Sequence, residues 1–154
     1  GEAARAPPKA RPLTRVDFHI NVPDKLAYGC RLVRKAYQSG RQVLVWCDDP
    51  VMLAEFDRLL WTFSAGDFIP HVAASDPLAA DTPVLLAADA PEVAHHDVLV
   101  NLGQRTPPNF SRFDRVIELV SNDDEDKGLA REHFRFYRDR GYPMQTHDRA
   151  SSAE

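Results

Sequence analysis

Cysteine is scarce in this chain. Only Cys30 and Cys47 carry thiols among 154 residues, too few for the disulfide frameworks that hold small secreted domains together. They do not form a CxxC pair, and buried thiols are expected rather than a redox or metal role. Phosphate-binding glycine loops are missing as well: the sequence has no GxGxxG and no GxxxxGK[ST]. The turn after the first strand reads NVPDKLAYG, which cannot cradle a phosphate. HExxH and HxH spacings are absent, so His19, His71, His95 and His96 are expected in loop and capping roles rather than as metal ligands. No G-x-S-x-G elbow marks a hydrolase nucleophile. No apolar run is long enough to cross a bilayer, and no secretory signal is evident, so a cytoplasmic protein is expected. The net charge of -4 argues against a nucleic-acid grip over a large face. These absences leave no spelled-out catalytic, cofactor or metal site.

What is present is the alternation of an α/β domain. At 154 residues, 44% of them hydrophobic, the chain can bury one core and has little room for two. Arg15–Asn21 alternates Val16, Phe18 and Ile20 against Asp17 and His19, the period of a strand. Leu26, Cys30, Val33 and Tyr37 follow at helical spacing, and Gly40 suits the residue after a helix end. Gln42–Cys47 is a short apolar run, as in a strand covered on both faces. Asp49 before Pro50 reads as a cap and first-turn pair for a second helix, with Leu53, Phe56, Leu60 and Trp61 as its apolar face. Further strands are expected over Pro83–Ala87, Asp97–Asn101 and Arg115–Val120. This order predicts a three-layer α/β fold, a mostly parallel sheet with helices on both faces. Residues 15–147 form one domain on this reading. Residues 1–14 are expected to be a disordered arm or tag remnant, and 148–154 a loose tail.

The closing helix carries the sharpest local signal. Residues 121–126 supply a cap and acids at its amino end. Residues 127–140 then hold five Lys/Arg and two acids, a local excess of cations in an acidic chain. Lys127, Arg131, Arg135 and Arg138 share one face, with Ala130, Phe134 and Tyr137 beside them; Gly141 should end the helix. The row is either a solvated face balanced by the preceding acids or an anion site. Cations beside an aromatic wall suit an acidic peptide that carries a hydrophobic residue. Phe63, Phe68, Ile69 and Pro70, near Trp61, form a second candidate surface or a lid on the core.

Segments of the chain, in order, resemble the chi subunit family of bacterial DNA polymerase III holoenzyme. They are RVDFHINVPDK, AYQSGRQVLVWCDD, LLWTFSAGDFIPH, DVLVNLG, FDRVIELV and LAREHFRFYRDRGY. The resemblance implies a non-catalytic accessory subunit of the clamp-loader assembly, acting in DNA replication. It implies two partners: a psi-like subunit, and the acidic C-terminal tail of single-stranded DNA-binding protein, which ends in a hydrophobic residue. It implies no cofactor and only indirect contact with nucleic acid. The family's tail pocket maps onto Lys127, Arg131, Phe134 and Arg135, with Val116 nearby. Phe134 stands where a relative has tyrosine, and Arg135 where it has lysine, keeping ring and charge but changing the donors. Trp61, Phe68, Pro70 and His71 are the candidate second interface. The alternatives are a nucleotide- or phosphoester-processing enzyme and a direct binder of single-stranded nucleic acid.

Overall fold

The computed structural model describes residues 13–63, 66 and 68–150. The expected arm over 1–14 therefore falls outside the described residues except for Leu13 and Thr14, and so does the tail beyond Ala150. Seven strands form one sheet in the order β3-β4-β2-β5-β6-β1-β7. They are β1 (Arg15–Val22), β2 (Val43–Trp46), β3 (His71–Ala73), β4 (Val84–Ala87), β5 (Val98–Asn101), β6 (Arg115–Ser121) and β7 (Met144–Asp148). Every pairing is parallel. Helices α1 (Lys25–Gln38) and α2 (Pro50–Thr62) cover one face. Helix α3 (Asp124–Asp139) covers the other. The three-layer α/β architecture is thus the one the alternation predicted.

Local chemistry explains the boundaries. Asp24 caps α1 by accepting from the Ala27 amide, and Asp49 caps α2 by accepting from Val51 and Met52 just before Pro50. Gly40 and Gly141 follow the ends of α1 and α3 with φ of 81° and 82°, a conformation that glycine adopts without steric cost. Strands β2, β4 and β5 are buried along their whole length, as central parallel strands must be. Cys30 and Cys47 are free and buried. Burial, with the charge of Asp24, pushes the Cys30 thiol up to about 12, so it stays an unreactive packing group.

Two strands lack a sequence signal. β3 is only three residues long and begins inside the stretch read as a loop, while β7 reads MQTHD, polar and without apolar alternation. The latter draws Asp148, expected at the start of the loose tail, into the sheet edge. Trp61 is a correction on α2: Phe56 and Leu60 are buried, whereas Trp61 is 51% exposed.

An irregularity in β1 sets up the site. Its register against β6 shifts between His19 and Val22, and Asn21 there has φ 57°. Asparagine tolerates this left-handed conformation better than most residues. Phe18 and Ile20 consequently pack on the α3 face, while Val22 joins the core under α1 and α2.

Candidate functional site, a cationic pit beside helix α3

The pit begins with β1, whose alternation sends Phe18 and Ile20 toward α3. Val120 near the end of β6 and Ala130 and Phe134 from α3 complete an apolar floor. Asn21, Thr146, Lys127 and Arg131 stand around it, enclosing a cavity of about 370 Å³. The rings of Phe18 and Phe134 lie 5.6 Å apart at 53°, a tilted contact that holds Phe134 against the sheet.

The cations are available to a ligand. Among the described residues, Lys127, Arg131 and Arg135 have no carboxylate within ion-pair distance. Two of the acids before them, Asp123 and Asp126, are engaged elsewhere. Asp123 accepts from the Asp126 amide as the cap of α3. Asp126 accepts from Lys25 Nζ at 2.8 Å, Ser121 Oγ at 2.8 Å and Gln104 Nε2 at 3.2 Å. Burial would raise the Asp126 carboxyl, but the Lys25 ammonium and these donors hold it below its ordinary value. Lys127, Arg131 and Arg135 are therefore not ion-paired with these acids. Arg138 is different: it pairs with Asp139 at 3.2 Å.

A buried polar network anchors the helix that carries these cations. Glu118, 3% exposed in the middle of β6, accepts from Tyr137 Oη at 2.7 Å and Asn101 Nδ2 at 3.0 Å. His133 Nδ1 lies 3.3 Å from the same carboxylate. Burial lowers the His133 imidazole, but the hydrogen bond and charge of Glu118 more than offset it, leaving its pKa raised. Burial and Glu118 both push the Tyr137 hydroxyl up, keeping it a donor.

Of the predicted tail-pocket residues, Lys127, Arg131 and Phe134 meet at the pit. Arg135 is exposed one turn beyond Arg131, on the same helix face but outside the pit lining. Val116 is fully buried beneath α3. Val120, four residues along the same strand and on the same face, occupies the floor instead. Phe18 and Ile20 were legible as an alternating face, though not as a floor. Asn21 and Thr146 had no signal, because one depends on the β1 irregularity and the other on β7.

Trp61, Phe68, Pro70 and His71 gather at the opposite edge of the sheet. The Trp61 ring lies 4.1 Å from His71 and 5.6 Å from Phe68. Trp61 and Phe68 are 51% and 65% exposed, so they present an aromatic surface rather than close over the core. Pro70 is half-buried, and His71 is buried with Nδ1 at 2.7 Å from the Ile69 carbonyl. Six strand spacings, about 29 Å, separate this edge from β7. Other histidines are also bound into the fold: His95 Nε2 meets the Thr82 carbonyl at 2.7 Å. One trio among the described residues, His96, Asp97 and Asp114, brings ligand-type atoms within 4.8 Å of one another.

The family model described as DNA polymerase III chi subunit, HolC, matches residues 13–145. DNA polymerase III subunit chi of Pseudomonas aeruginosa is 40% identical over 140 residues, which cover 88% of this chain and 96% of that protein. The proteins of the same name from Haemophilus influenzae and Escherichia coli are each 29% identical over 118 residues, 76% of this chain and 82% and 80% of theirs.

Proposed function

The chain belongs to the DNA polymerase III chi subunit family, and from that premise we propose that the pit beside α3 receives the acidic C-terminal tail of single-stranded DNA-binding protein. The protein is an accessory, non-catalytic subunit related to DNA polymerase III. One observation carries the reading of the pit: cations without carboxylate partners stand beside an open apolar hollow. A terminal hydrophobic side chain fills the hollow against Phe134, Ile20 and Val120. Its free carboxylate and the acids before it pair with Arg131 and Lys127, and Arg135, one turn further, extends the field that draws the segment in. Val116 supports this floor from beneath.

A second surface is proposed for the psi-like subunit, over Trp61, Phe68, Pro70 and His71. Two large exposed rings in contact suit a dry protein interface. The distance between the two edges lets both partners bind one copy at once. No helix among the described residues is long and apolar enough to cross a membrane. On this reading the protein works in the cytoplasm as a single chi-like unit over residues 15–147.

The test is calorimetric titration of the full chain with an acidic peptide ending in a hydrophobic residue. Arg131→Ala should weaken binding about fivefold, as expected for a partly exposed charge pair, and added salt should weaken it further. Failure to bind at low salt, or unchanged affinity in the variant, removes the proposal.

A further inference from the structure

The face opposite the pit carries a second concentration of cations. β1 turns alternate residues to the two faces, so His19 lies behind Phe18 and Ile20. It lines two adjoining grooves of about 310 and 330 Å³, which also share Leu32 and Lys35. Arg31 and Lys35 of α1, Arg41 after it, Arg115 at the start of β6 and Arg149 line one or the other. Among the described residues no carboxylate lines either groove, in a chain whose net charge is -4. The nearby Asp17 is fully buried and accepts from Arg115 Nε at 2.6 Å.

His19 adds an independent sign of a ligand. It is 8% exposed, and its Nδ1 is hydrogen-bonded with the Tyr28 hydroxyl. Burial raises the Tyr28 pKa, so that hydroxyl remains a donor. Burial and the His147, Arg115 and Arg149 charges lower the His19 pKa to about 4. The neutral ring accepts from Tyr28 on Nδ1 and keeps its proton on Nε2. That Nε2 is buried and has no hydrogen-bond partner among the described residues.

We infer that this double groove is a second binding surface, which holds the phosphate backbone of single-stranded DNA. The pit offers a half-buried ring, Phe134, as an anchor. The groove does not, since Tyr28 is buried, with Arg31 and Arg149 over its ring at 5.7 and 5.8 Å. Recognition here is by charge rather than by an inserted side chain. The groove lined by Arg41 and Arg115 lies by the start of β5 and β6 and the end of α1, away from the carboxyl ends of the strands where α/β folds build small-ligand crevices, while the other runs from the first turn of α1 to Arg149 just beyond β7. Exposed cations two helical turns and a loop apart suit a polyanion that runs along the surface. The chain belongs to a DNA polymerase III subunit family, so DNA is the polyanion of its setting.

The experiment is fluorescence anisotropy of a labelled oligo-dT strand titrated with the full chain at about 50 mM salt. An Arg31→Ala/Lys35→Ala double variant is compared with Arg58→Ala/Arg105→Ala, which removes the same charge from exposed positions outside the groove. The groove variant should lose about tenfold in affinity and flatten the salt dependence by about two counterions, while the control changes less than twofold. Absence of binding by the wild-type chain overturns the inference. So does an equal loss in both variants, or displacement of the strand by the acidic peptide or by inorganic phosphate at matched ionic strength. Tighter binding of duplex than of single strand overturns it as well. Because the peptide titration is separate, failure of the tail-pocket reading does not decide this one.

Discussion

The two faces of the sheet are built from different materials. Under α1 and α2 the core is largely aliphatic, with Val33, Val45, Leu60, Val100 and Leu119 around Phe56. Under α3 it is aromatic and polar, with Phe18, Trp46, Phe113 and Tyr137 around the Glu118 carboxylate. An aliphatic core holds its helices by area alone and leaves their outer residues free, and Trp61 projects from such a helix. A helix as charged as α3 buries less apolar surface and is pinned by directed bonds. Those bonds fix its rotation, and with it the position of Lys127, Arg131 and Phe134 over the pit. Specific polar anchoring thus accompanies the face whose proposed ligand is small and charged, while the broad aromatic edge sits on the generic core.

The comparison is broken most severely by removing the anchor. Glu118→Ala leaves Tyr137 and Asn101 without their acceptor in the interior and should lower stability by about 3 kcal/mol or more. Urea unfolding followed by circular dichroism measures it. A loss under about 1 kcal/mol would mean that α3 is held by its rings alone.

How much of this was legible differs between the faces. Continuous runs such as VLVW and capping pairs such as Asp49-Pro50 announce the central strands and α2, because local periodicity and backbone chemistry decide them. The basic row on α3 was equally plain, and the family resemblance turned it into named residues. Val116, which the resemblance implies near the pocket, is buried beneath α3 while Val120 lines the pit, since strand parity gives a face but not the depth at which a helix crosses it. β7 was invisible because an edge strand receives its hydrogen bonds from β1, whatever its own side chains are. Asn21 and Thr146 depend on that tertiary pairing and could not be read locally.

Crossed substitutions sharpen the contrast at intermediate cost. Trp61→Ala should weaken binding of a psi-like subunit by about 2 kcal/mol or more, as for a buried aromatic anchor, and leave the acidic peptide unaffected. Phe134→Ala should weaken the peptide by about 1–2 kcal/mol through lost ring contact and leave the psi-like subunit unaffected. Salt should separate them further, weakening the peptide complex and sparing the aromatic one. If either variant lowers both affinities alike, the two surfaces are one coupled site.

The smallest effect is also the most diagnostic, because protons act on the two faces with opposite sign. On the α1 face, burial first, and then the charge of His147, hold His19 down at about 4; Asp17 opposes them, and Arg115 and Arg149 add smaller effects of the same sign as His147. An unfolded histidine titrates near 6.5. Between these values the unfolded chain binds the extra proton, so the stability gained by keeping His19 neutral is present above about pH 6.5 and is lost as pH falls toward 4. On the α3 face, the raised pKa of His133 makes the folded chain the better proton binder. Its contribution is fully present below about pH 6.5 and is lost as pH rises through the folded value. His19→Gln should therefore flatten the decline of the urea midpoint from pH 6.5 to 4, and His133→Gln should flatten the decline above pH 6.5. Two variants with the same pH profile as the wild type would show that neither imidazole is held by its face of the sheet.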